Sequence, residues 1–241
     1  MSVPQVLISN YLIQHMPRAK TAPIVAYKFV HKEDLFFWTQ NRTLRIGTLK
    51  GYSDLVTDGG VGDIQELHVS GISHFIDDSE SEKNQILRNN LAYLGVEDIQ
   101  NCTNVTLENS SYTNPDDYVF CVSRKLNKKI FRSWKEKEGY DAVIRILDLQ
   151  KLLSSILHYD SVGEKRLGPI GAIDLVKYLK YPEDLDKVDI TKNRFLKDEN
   201  QYSWQDEIRL FWNMEPQSSH YDIRLPNMPD LIEVMCLPCD W

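Results

Sequence analysis

The chain has 241 residues, of which 42% are hydrophobic and 26% are charged, and its formal net charge at pH 7 is -7. This composition is typical of a globular protein and excludes a fibrous or wholly disordered chain. The negative charge also argues against a generally basic nucleic-acid surface, because phosphate binding draws on clustered Lys and Arg.

Residues 1–20 lack the basic start and the continuous apolar core of a secretory signal peptide, and no later stretch is long and apolar enough to span a bilayer. We therefore expect a cytoplasmic protein with no membrane partner. The four cysteines are too few for a disulfide framework in a chain of this size. Cys236 and Cys239 have a spacing that suits a metal half-site or a redox pair. Without a second close pair for a four-cysteine zinc site, no metal site is expected.

The first predicted elements are two strands that flank a helix. Residues 24–30 (IVAYKFV) predict a strand, because β-branched and aromatic residues dominate the run. The helix begins at residues 31–34 and ends near Asn41, and Thr43–Leu49 predict the second strand. Arg45 alternates with the apolar residues of that strand, so it faces either solvent or a cleft, and the sequence leaves both alternatives open.

The next part of the chain is rich in glycine and polar residues. Segment 58–63 has neither G-x-G-x-x-G spacing after a strand nor a Gly-Lys-Ser/Thr ending, so it predicts a flexible turn or an active-site flap and not a phosphate-binding loop. Residues 64–75 predict another strand. The polar stretch 77–117 predicts an insertion in two parts. Residues 77–94 predict a helix-prone connection with Gly95 as its stop, and residues 96–117 predict an irregular segment with one strand at Asn104–Leu107.

A basic segment follows the strongly predicted strand Tyr118–Ser123. Its cations, interleaved with Phe131 and Trp134, are Arg124, Lys125, Lys128, Lys129, Arg132, Lys135 and Lys137. Aromatic rings beside cations suit a ligand that carries phosphates and bases. A solvated helix face is the alternative interpretation, and it stays open.

The second half of the chain predicts strand 140–146, helix Asp148–His158, strand 170–181, a charged helical connection 182–193 and a closing strand Leu231–Leu237. The strands are grouped toward both ends of the chain rather than alternating with helices. This grouping favours an α+β fold in one domain, residues 1–241, with the polar insertion at about 77–117.

The late segment Trp204–Trp212 (WQDEIRLFW) alternates in the way a half-buried strand does. Gln205, Glu207 and Arg209 would share one face, opposite the apolar side chains. That polar face has two interpretations: a rigid platform from which Gln205 and Glu207 reach one small ligand, or a face that meets only water.

Three landmarks resemble the ADP-ribosyltransferase superfamily, particularly its small bacterial toxin and phage-defence members. They are Tyr27-Lys28-Phe29-Val30-His31 leading into Asp34-Leu35, the strand Phe120-Cys121-Val122-Ser123, and Gln205-Asp206-Glu207. The chain also resembles a poorly characterised bacterial family, through Cys121, Ser123, Trp134, the strand 143–146, Phe195, Lys197, Trp204, Glu207 and Arg209.

The resemblance implies a split antiparallel β-core that holds NAD as co-substrate, with Glu207 as the essential catalytic residue. Breaking the nicotinamide–ribose bond develops oxocarbenium character, which an adjacent carboxylate stabilises. Gln205 is implied as the second catalytic residue, orienting the ribose or the acceptor. The implied cofactor-binding roles are Arg45 at the pyrophosphate, Ser123 beside Glu207 or the ribose, Tyr27 or Tyr52 against the nicotinamide, and His31 on the adenosine side.

The implied function is a mono-ADP-ribosyltransferase toxin or phage-defence effector, with an antitoxin protein as a partner. Its acceptor is a macromolecule, either a nucleic acid such as RNA or a protein, and the residues that favour nucleic acid are Lys128, Lys129, Arg132 and Trp134. Two alternatives stay open. One is a non-catalytic binding or sensor module, and the other is a metal-dependent nuclease that uses Glu207 with Asp63 and Glu66.

Overall fold

A computed structural model gives the fold of the protein. The described residues are 22–52, 69–74, 104–110, 117–163, 170–179, 183–184, 196–212 and 219–237, with single positions at 85, 86, 88, 89, 92 and 167. Residues 1–20, the segment 58–63, Glu66, most of the insertion 77–117 and Cys239 lie outside this part of the chain. The predictions made for them stay predictions.

The described strands, in chain order, are β1 Ala26–Val30, β2 Thr43–Thr48, β3 Val69–His74, β4 Asn104–Ser110, β5 Tyr118–Ser123, β6 Ala142–Ile146, β7 Ile170–Leu175, β8 Lys177–Leu179, β9 Glu183–Asp184, β10 Leu196–Asp198, β11 Glu207–Trp212, β12 His220–Arg224 and β13 Ile232–Met235. The helices with described bounds are α1 Leu35–Thr39, α2 Lys128–Glu138, α3 Leu149–Val162 and α4 Glu199–Tyr202. Short 3-10 turns cover Lys32–Asp34, Ser203–Gln205 and Met228–Asp230.

Eight strands form one antiparallel sheet that branches at β5. One path runs β12-β2-β5-β1-β6-β13, and β11 joins β5 to β7. Strand β11 pairs with β5 along six residues, so it occupies one whole edge of β5. On the other edge β1 pairs only at Tyr27–Ser123, whereas β2 pairs at the opposite end through Gly47–Val119 and Thr48–Tyr118. Strands β1 and β2 therefore leave the same edge of β5 at its two ends.

Helix α3 covers one face of the sheet and forms the main core. The Asp148 side chain caps its start by accepting from the backbone N–H of Gln150 and Lys151. Apolar residues at helical spacing, Leu149, Leu152, Leu153 and Ile156, are all buried against strand residues such as Ile144 and Phe120. The predicted helix is confirmed, and it continues beyond His158 to Val162.

Helix α2 covers part of the opposite face. Asn127 caps its N-terminus through the N–H of Ile130, and Gly139 ends it with φ 73°, a left-handed conformation that glycine adopts without strain. Ile130 and Phe131 are buried against β1 and β6, and the basic residues point outward. The sequence-predicted basic segment is therefore mostly a surface helix with one buried stripe.

Among the described strands, two smaller sheets have no pairing with the main sheet. Strands β4, β3 and β9 form the first, and β10 pairs in parallel with β8 in the second. The prediction of a strand inside the polar insertion is confirmed by β4, which is longer than expected. The predicted helical connection 182–193 is wrong at β9, where Glu183 and Asp184 pair with β3.

The structure agrees with the sequence prediction at β5 and differs from it at β12 and at the start of β11. Strand β5 has the predicted bounds, whereas β12 was not predicted. The strand expected over Trp204–Trp212 begins only at Glu207, because Asp206 has φ 46° and ψ 59° and Ser203–Gln205 forms a 3-10 turn. Gln205 therefore does not lie on the strand face beside Glu207, as the alternation predicted.

The predicted combination of an antiparallel sheet with a few helices is confirmed at this level. Across the described ranges, no helix has both the length and the apolar character needed to cross a membrane.

Candidate functional site

A pocket lies where β1 separates from β5. Its lining residues are Tyr27, Lys28, Phe29, Tyr52, Cys121, Val122, Ser123, Trp134, Glu138, Tyr140, Lys197, Tyr202, Gln205 and Glu207. The space between them, counted with its open mouth, is about 650 Å³. Ligand pockets combine apolar walls with a few polar groups, and this lining has the same character.

Glu207, the first residue of β11, is at the centre of a buried ion-pair cluster. Its Oε1 accepts from Arg209 Nε at 2.6 Å, and its Oε2 lies 3.0 Å from Lys197 Nζ. The exposed fractions of the three side chains are 5% for Glu207, 7% for Lys197 and 0% for Arg209. Glu207 and Arg209 thus share a face of β11, as predicted, and their charges meet away from water.

The cluster keeps Glu207 ionised. Burial alone would raise the pKa of its carboxyl, but the charges of Arg209 and Lys197, with hydrogen bonds from Cys121 and Arg209, hold that pKa at about 2. At neutral pH the group is therefore a carboxylate. It is suited to stabilise a positive charge and not to donate a proton.

Gln205 reaches the same cluster from the turn before β11. Lys197 Nζ donates to its Oε1 at 2.8 Å, and the Ser123 hydroxyl donates to its backbone carbonyl at 2.6 Å. Lys197, on β10, therefore joins the two predicted catalytic residues, although they lie on different elements.

The left-handed Asp206 is held from the end of β5. Arg124 N donates to the Asp206 carbonyl at 2.8 Å, Arg124 Nε lies 2.9 Å from Oδ1, and Lys125 Nζ lies 3.0 Å from Oδ2. Burial acts against the charged form, but the hydrogen bonds from both cations lower the pKa of Asp206. These contacts explain why a non-glycine residue occupies this conformation, and they fix Gln205 and Glu207 on either side of it.

Lys28 bridges the branch in the sheet. Its Nζ donates to the Cys121 carbonyl at 3.0 Å and lies 5.1 Å from the centroid of the Phe120 ring. Burial is the main reason that the pKa of Lys28 is lowered; Cys121 and Glu207 oppose this shift, and Lys197 adds to it.

Aromatic side chains make up much of the wall. Trp134 stacks on Phe29 with ring centroids 5.1 Å apart and meets Trp204 edge-on with centroids 4.9 Å apart. Its ring centroid lies 5.5 Å from that of Tyr140. Its indole N–H is buried and has no hydrogen-bond partner among the described residues. Burial raises the pKa of Tyr140 to about 12, so this wall is neutral at physiological pH.

Tyr52 lies against β2 on the other side of the pocket. A Cβ at Gly47 would be 2.8 Å from the Tyr52 ring. Glycine at 47 therefore permits the close approach that brings Tyr52 to the pocket wall.

The predicted site residues divide into two groups. The residues that line the pocket are Tyr27, Tyr52, Ser123, Trp134, Gln205 and Glu207. Arg45 is not in the lining. Its Nε lies 2.8 Å from Asp222 Oδ1, and the exposed fractions of the two side chains are 61% for Arg45 and 39% for Asp222. His31 is also outside the lining, and its ring packs against Tyr140 with centroids 4.8 Å apart.

Lys128, Lys129 and Arg132 are exposed on α2, away from the lining, whereas Trp134 on the same helix faces the pocket. Of the four residues predicted to bind the acceptor, three therefore lie on the exposed surface of α2, and Trp134 lies in the pocket wall.

Sequence reasoning did not identify Lys28 or Lys197 as site residues. Lys28 is a single cation inside an otherwise apolar strand, IVAYKFV, and that isolation was a usable signal. Lys197 appeared only among the residues of the second resemblance, with no role assigned, because its place in the site depends on its tertiary contact with Glu207.

A second space lies on the other side of the turn that precedes β11. Glu207 borders both spaces, and the second is also lined by Arg124, Lys125, Asn127, Tyr178 and Trp204. The Tyr178 hydroxyl accepts from the backbone N–H of Glu207 at 3.0 Å. Burial raises the pKa of Tyr178, so its hydroxyl stays protonated. Glu207 is therefore approached from two directions.

Within the described ranges, no group of three or more His, Cys, Asp or Glu side chains is placed to hold a metal ion. Asp63 and Glu66, the other residues of the nuclease alternative, lie outside those ranges. A comparison with known proteins found no match to a family model, to a curated protein or to a solved structure.

Proposed function

We propose that the pocket binds NAD and that the protein transfers ADP-ribose from it to a macromolecule. The observation that carries the proposal is the ionised Glu207 carboxylate, which borders a pocket with aromatic walls. A carboxylate in a site shielded from water stabilises an oxocarbenium-like transition state more strongly than one in bulk solvent.

In this reaction the bond between nicotinamide and ribose breaks, and positive charge develops at the ribose carbon. Glu207 stabilises that charge and accepts a hydrogen bond from a ribose hydroxyl. Lys197 holds the amide oxygen of Gln205, so the amide nitrogen is the atom with which Gln205 orients the ribose or the acceptor. Ser123 acts indirectly, by holding the backbone of Gln205.

Tyr27 and Tyr52 are the proposed contacts for the nicotinamide ring, and their places in the lining support this role. The pyrophosphate contact expected of Arg45 requires its pair with Asp222 to open first. We therefore leave Arg45 and His31 out of the primary contacts. The finer fold proposal, an ADP-ribosyltransferase-like split core, is supported by the separation of β1 from β5.

The acceptor is proposed to approach Glu207 from the second space, whose rim carries Arg124 and Lys125. The exposed cations Lys128, Lys129 and Arg132 lie along the adjoining helix and favour an anionic acceptor such as RNA. Neutralising these three residues should reduce acceptor labelling while nicotinamide release is unchanged. Equal losses of acceptor labelling and of nicotinamide release would show that these α2 residues do not bind the acceptor. The toxin or defence role, cytoplasmic location and antitoxin partner belong to the same proposal.

A second candidate function is a non-catalytic binding module. Both oxygens of Glu207 already contact cations, one from Arg209 and one from Lys197. That arrangement favours a structural carboxylate beside a ligand site, since catalysis requires the substrate to compete with these partners.

The test is incubation of the purified chain with NAD labelled in its adenine ring, together with separate pools of RNA, DNA and protein. The proposal predicts label in one pool and release of nicotinamide. Saturable NAD binding without either product supports the binding module. No binding and no turnover of NAD overturns the transferase and favours a module that binds another ligand.

The variant pair is chosen to isolate Glu207. Removing it alone leaves Lys197 and Arg209 without their shared anion, and the protein then risks unfolding. Lys197→Met is therefore the control, because Glu207 still pairs with Arg209, and Glu207→Gln/Lys197→Met is the test. The double variant has the same net charge in this cluster as the natural protein. Transfer should persist in the control, at a rate lowered by the lost contact to the Gln205 amide oxygen, and disappear in the test variant.

A further inference from the structure

Lys28 is a pocket residue that the proposed reaction does not use. Its Nζ donates to the Cys121 carbonyl at 3.0 Å and lies 5.1 Å from the centroid of the Phe120 ring. A carbonyl oxygen and the face of an aromatic ring both stabilise an ammonium group. Burial lowers the pKa of Lys28, but the negative charge of Glu207 opposes that shift. The contacts of Lys28 therefore favour a cation at this position.

The charge of Lys28 has no anionic partner within the described part of the chain. One oxygen of Glu207 contacts Arg209 and the other contacts Lys197, and Lys28 forms no ion pair there. Cys121, Glu207 and Lys197 act on the charge of Lys28, and all three line the pocket. The charged end of Lys28, and not only its stem, therefore borders this space. An ammonium shielded from water without an anion is unfavourable, so a ligand that supplies the anion is stabilised here.

The charges around the pocket favour a ligand with a single negative charge. We count the described residues that line the pocket or contact Glu207, each in its charged form. The cations are Lys28, Lys197 and Arg209. The carboxylates are Glu207 and Glu138. One negative charge on the ligand balances this set, whereas two would leave an excess of negative charge beside Glu207.

We propose that the pocket binds an aromatic acid, a ligand with a planar ring and one carboxylate. The carboxylate accepts a hydrogen bond from the Lys28 ammonium, which has three donors and gives one of them to the Cys121 carbonyl. The ring packs against the aromatic wall that includes Tyr27 and Trp134. This inference goes beyond the proposed function, because the acid competes with NAD for the pocket and its binding requires no transfer reaction.

The test compares benzoate with benzamide, a neutral probe of nearly the same shape. Each is titrated into the natural protein without NAD, and ligand-observed NMR gives the two dissociation constants. Because a hydrogen bond between charged groups is stronger than one to a neutral amide, benzoate should bind about tenfold more tightly than benzamide. Equal affinities, or no binding of benzoate, would overturn the proposal.

Phenyl phosphate is the third probe, and it tests the number of charges. It is mostly a dianion at neutral pH, so it should bind less tightly than benzoate. Tighter binding of phenyl phosphate would contradict the assignment of the site to a carboxylate.

Three variants locate the site. Lys28→Met keeps an unbranched side chain and should abolish the preference for benzoate over benzamide. Lys151→Met removes an exposed lysine of α3 and should leave that preference unchanged. A preference that survives in folded Lys28→Met contradicts the role of Lys28.

Trp134→Leu keeps the test decisive if Lys28→Met does not fold. It removes part of the aromatic wall and should weaken the binding of benzoate and benzamide by similar factors. Unchanged affinities in folded Trp134→Leu would show that the acid binds elsewhere. Since nicotinamide release from NAD is measured separately, failure of this inference and failure of the proposed function are distinguishable.

Discussion

Two ion-pair sites on the same sheet have similar residues and opposite surroundings. Glu207 meets Arg209 and Lys197 with nearly no exposed surface, whereas Arg45 meets Asp222 across β2 and β12 with both side chains open to solvent. Each site contains a residue that the sequence marked as functional. Glu207 borders the pocket, whereas Arg45 and Asp222 are not among the described residues that line it.

The difference lies in what water does to each pair. At the exposed site, water and salt screen the attraction, and such pairs contribute about 0 to 1 kcal/mol. At the buried site the charges have lost their hydration, so each depends on its partners. A polar residue on a strand is therefore informative about function mainly when its neighbours remove it from solvent.

The largest expected effect comes from Glu207→Gln. Lys197 and Arg209 would then be buried without their common anion, and breaking a buried pair in this way costs about 3 to 5 kcal/mol of unfolding free energy. Urea unfolding measures it. The matched control is Glu233→Gln, because Glu233 pairs with Arg145 in an exposed site on β13. A similar small loss in both variants would show that burial does not distinguish the two sites.

The stability of the natural protein should depend on pH through the same Glu207 cluster. The pKa of Glu207 is lowered from 4.5 to about 2 in the folded state, so its contribution is fully present above about pH 4.5 and is lost as the pH falls toward 2. Stability measured by urea unfolding between pH 5 and 2 should fall less steeply in Glu207→Gln. An unchanged slope would mean that Glu207 has an ordinary pKa.

Ser123→Ala should have an intermediate effect. It leaves the buried carbonyl of Gln205 without the hydroxyl that lies 2.6 Å away, and such a loss costs about 1 to 3 kcal/mol. Ser154→Ala is the control, since Ser154 donates to Gln150 in an exposed turn of α3. Thermal unfolding compares them, and equal shifts would contradict a special role for Ser123.

The smallest effect is expected for Asp222→Asn. The Arg45 hydrogen bond lowers the pKa of Asp222, but both groups are solvated, so the change in stability should be within about 1 kcal/mol. Urea unfolding at low and high salt measures it. A loss as large as that of Glu207→Gln would place the two ion pairs in the same class.

The fold was predictable where a single pattern decided the element. Strand β5 is apolar until Ser123, and its bounds were predicted correctly; helix α3 followed from its apolar spacing. Strand β12 was missed although Tyr221 and Ile223 alternate with exposed residues, because the run HYDIR is short and polar. Strand β9 was mistaken for a helix, since its pairing with β3 is remote in sequence.

The site was predictable only in part, for a similar reason. Alternation placed Glu207 and Arg209 on one face, but it wrongly extended the strand through Gln205, because nothing local in the sequence shows that Arg124 and Lys125 hold Asp206. Lys197 and Lys28 act through contacts with distant strands. Such tertiary contacts decide which polar residues converge, and a one-dimensional pattern does not contain them.

The most direct test of the proposed function is nicotinamide release from NAD by the purified chain, with Lys197→Met and Glu207→Gln/Lys197→Met in parallel. We predict release by the natural protein and by Lys197→Met, and none by the double variant, although it still folds. Equal release by both variants, or no release by the natural protein with every acceptor pool, would contradict the catalytic role of Glu207.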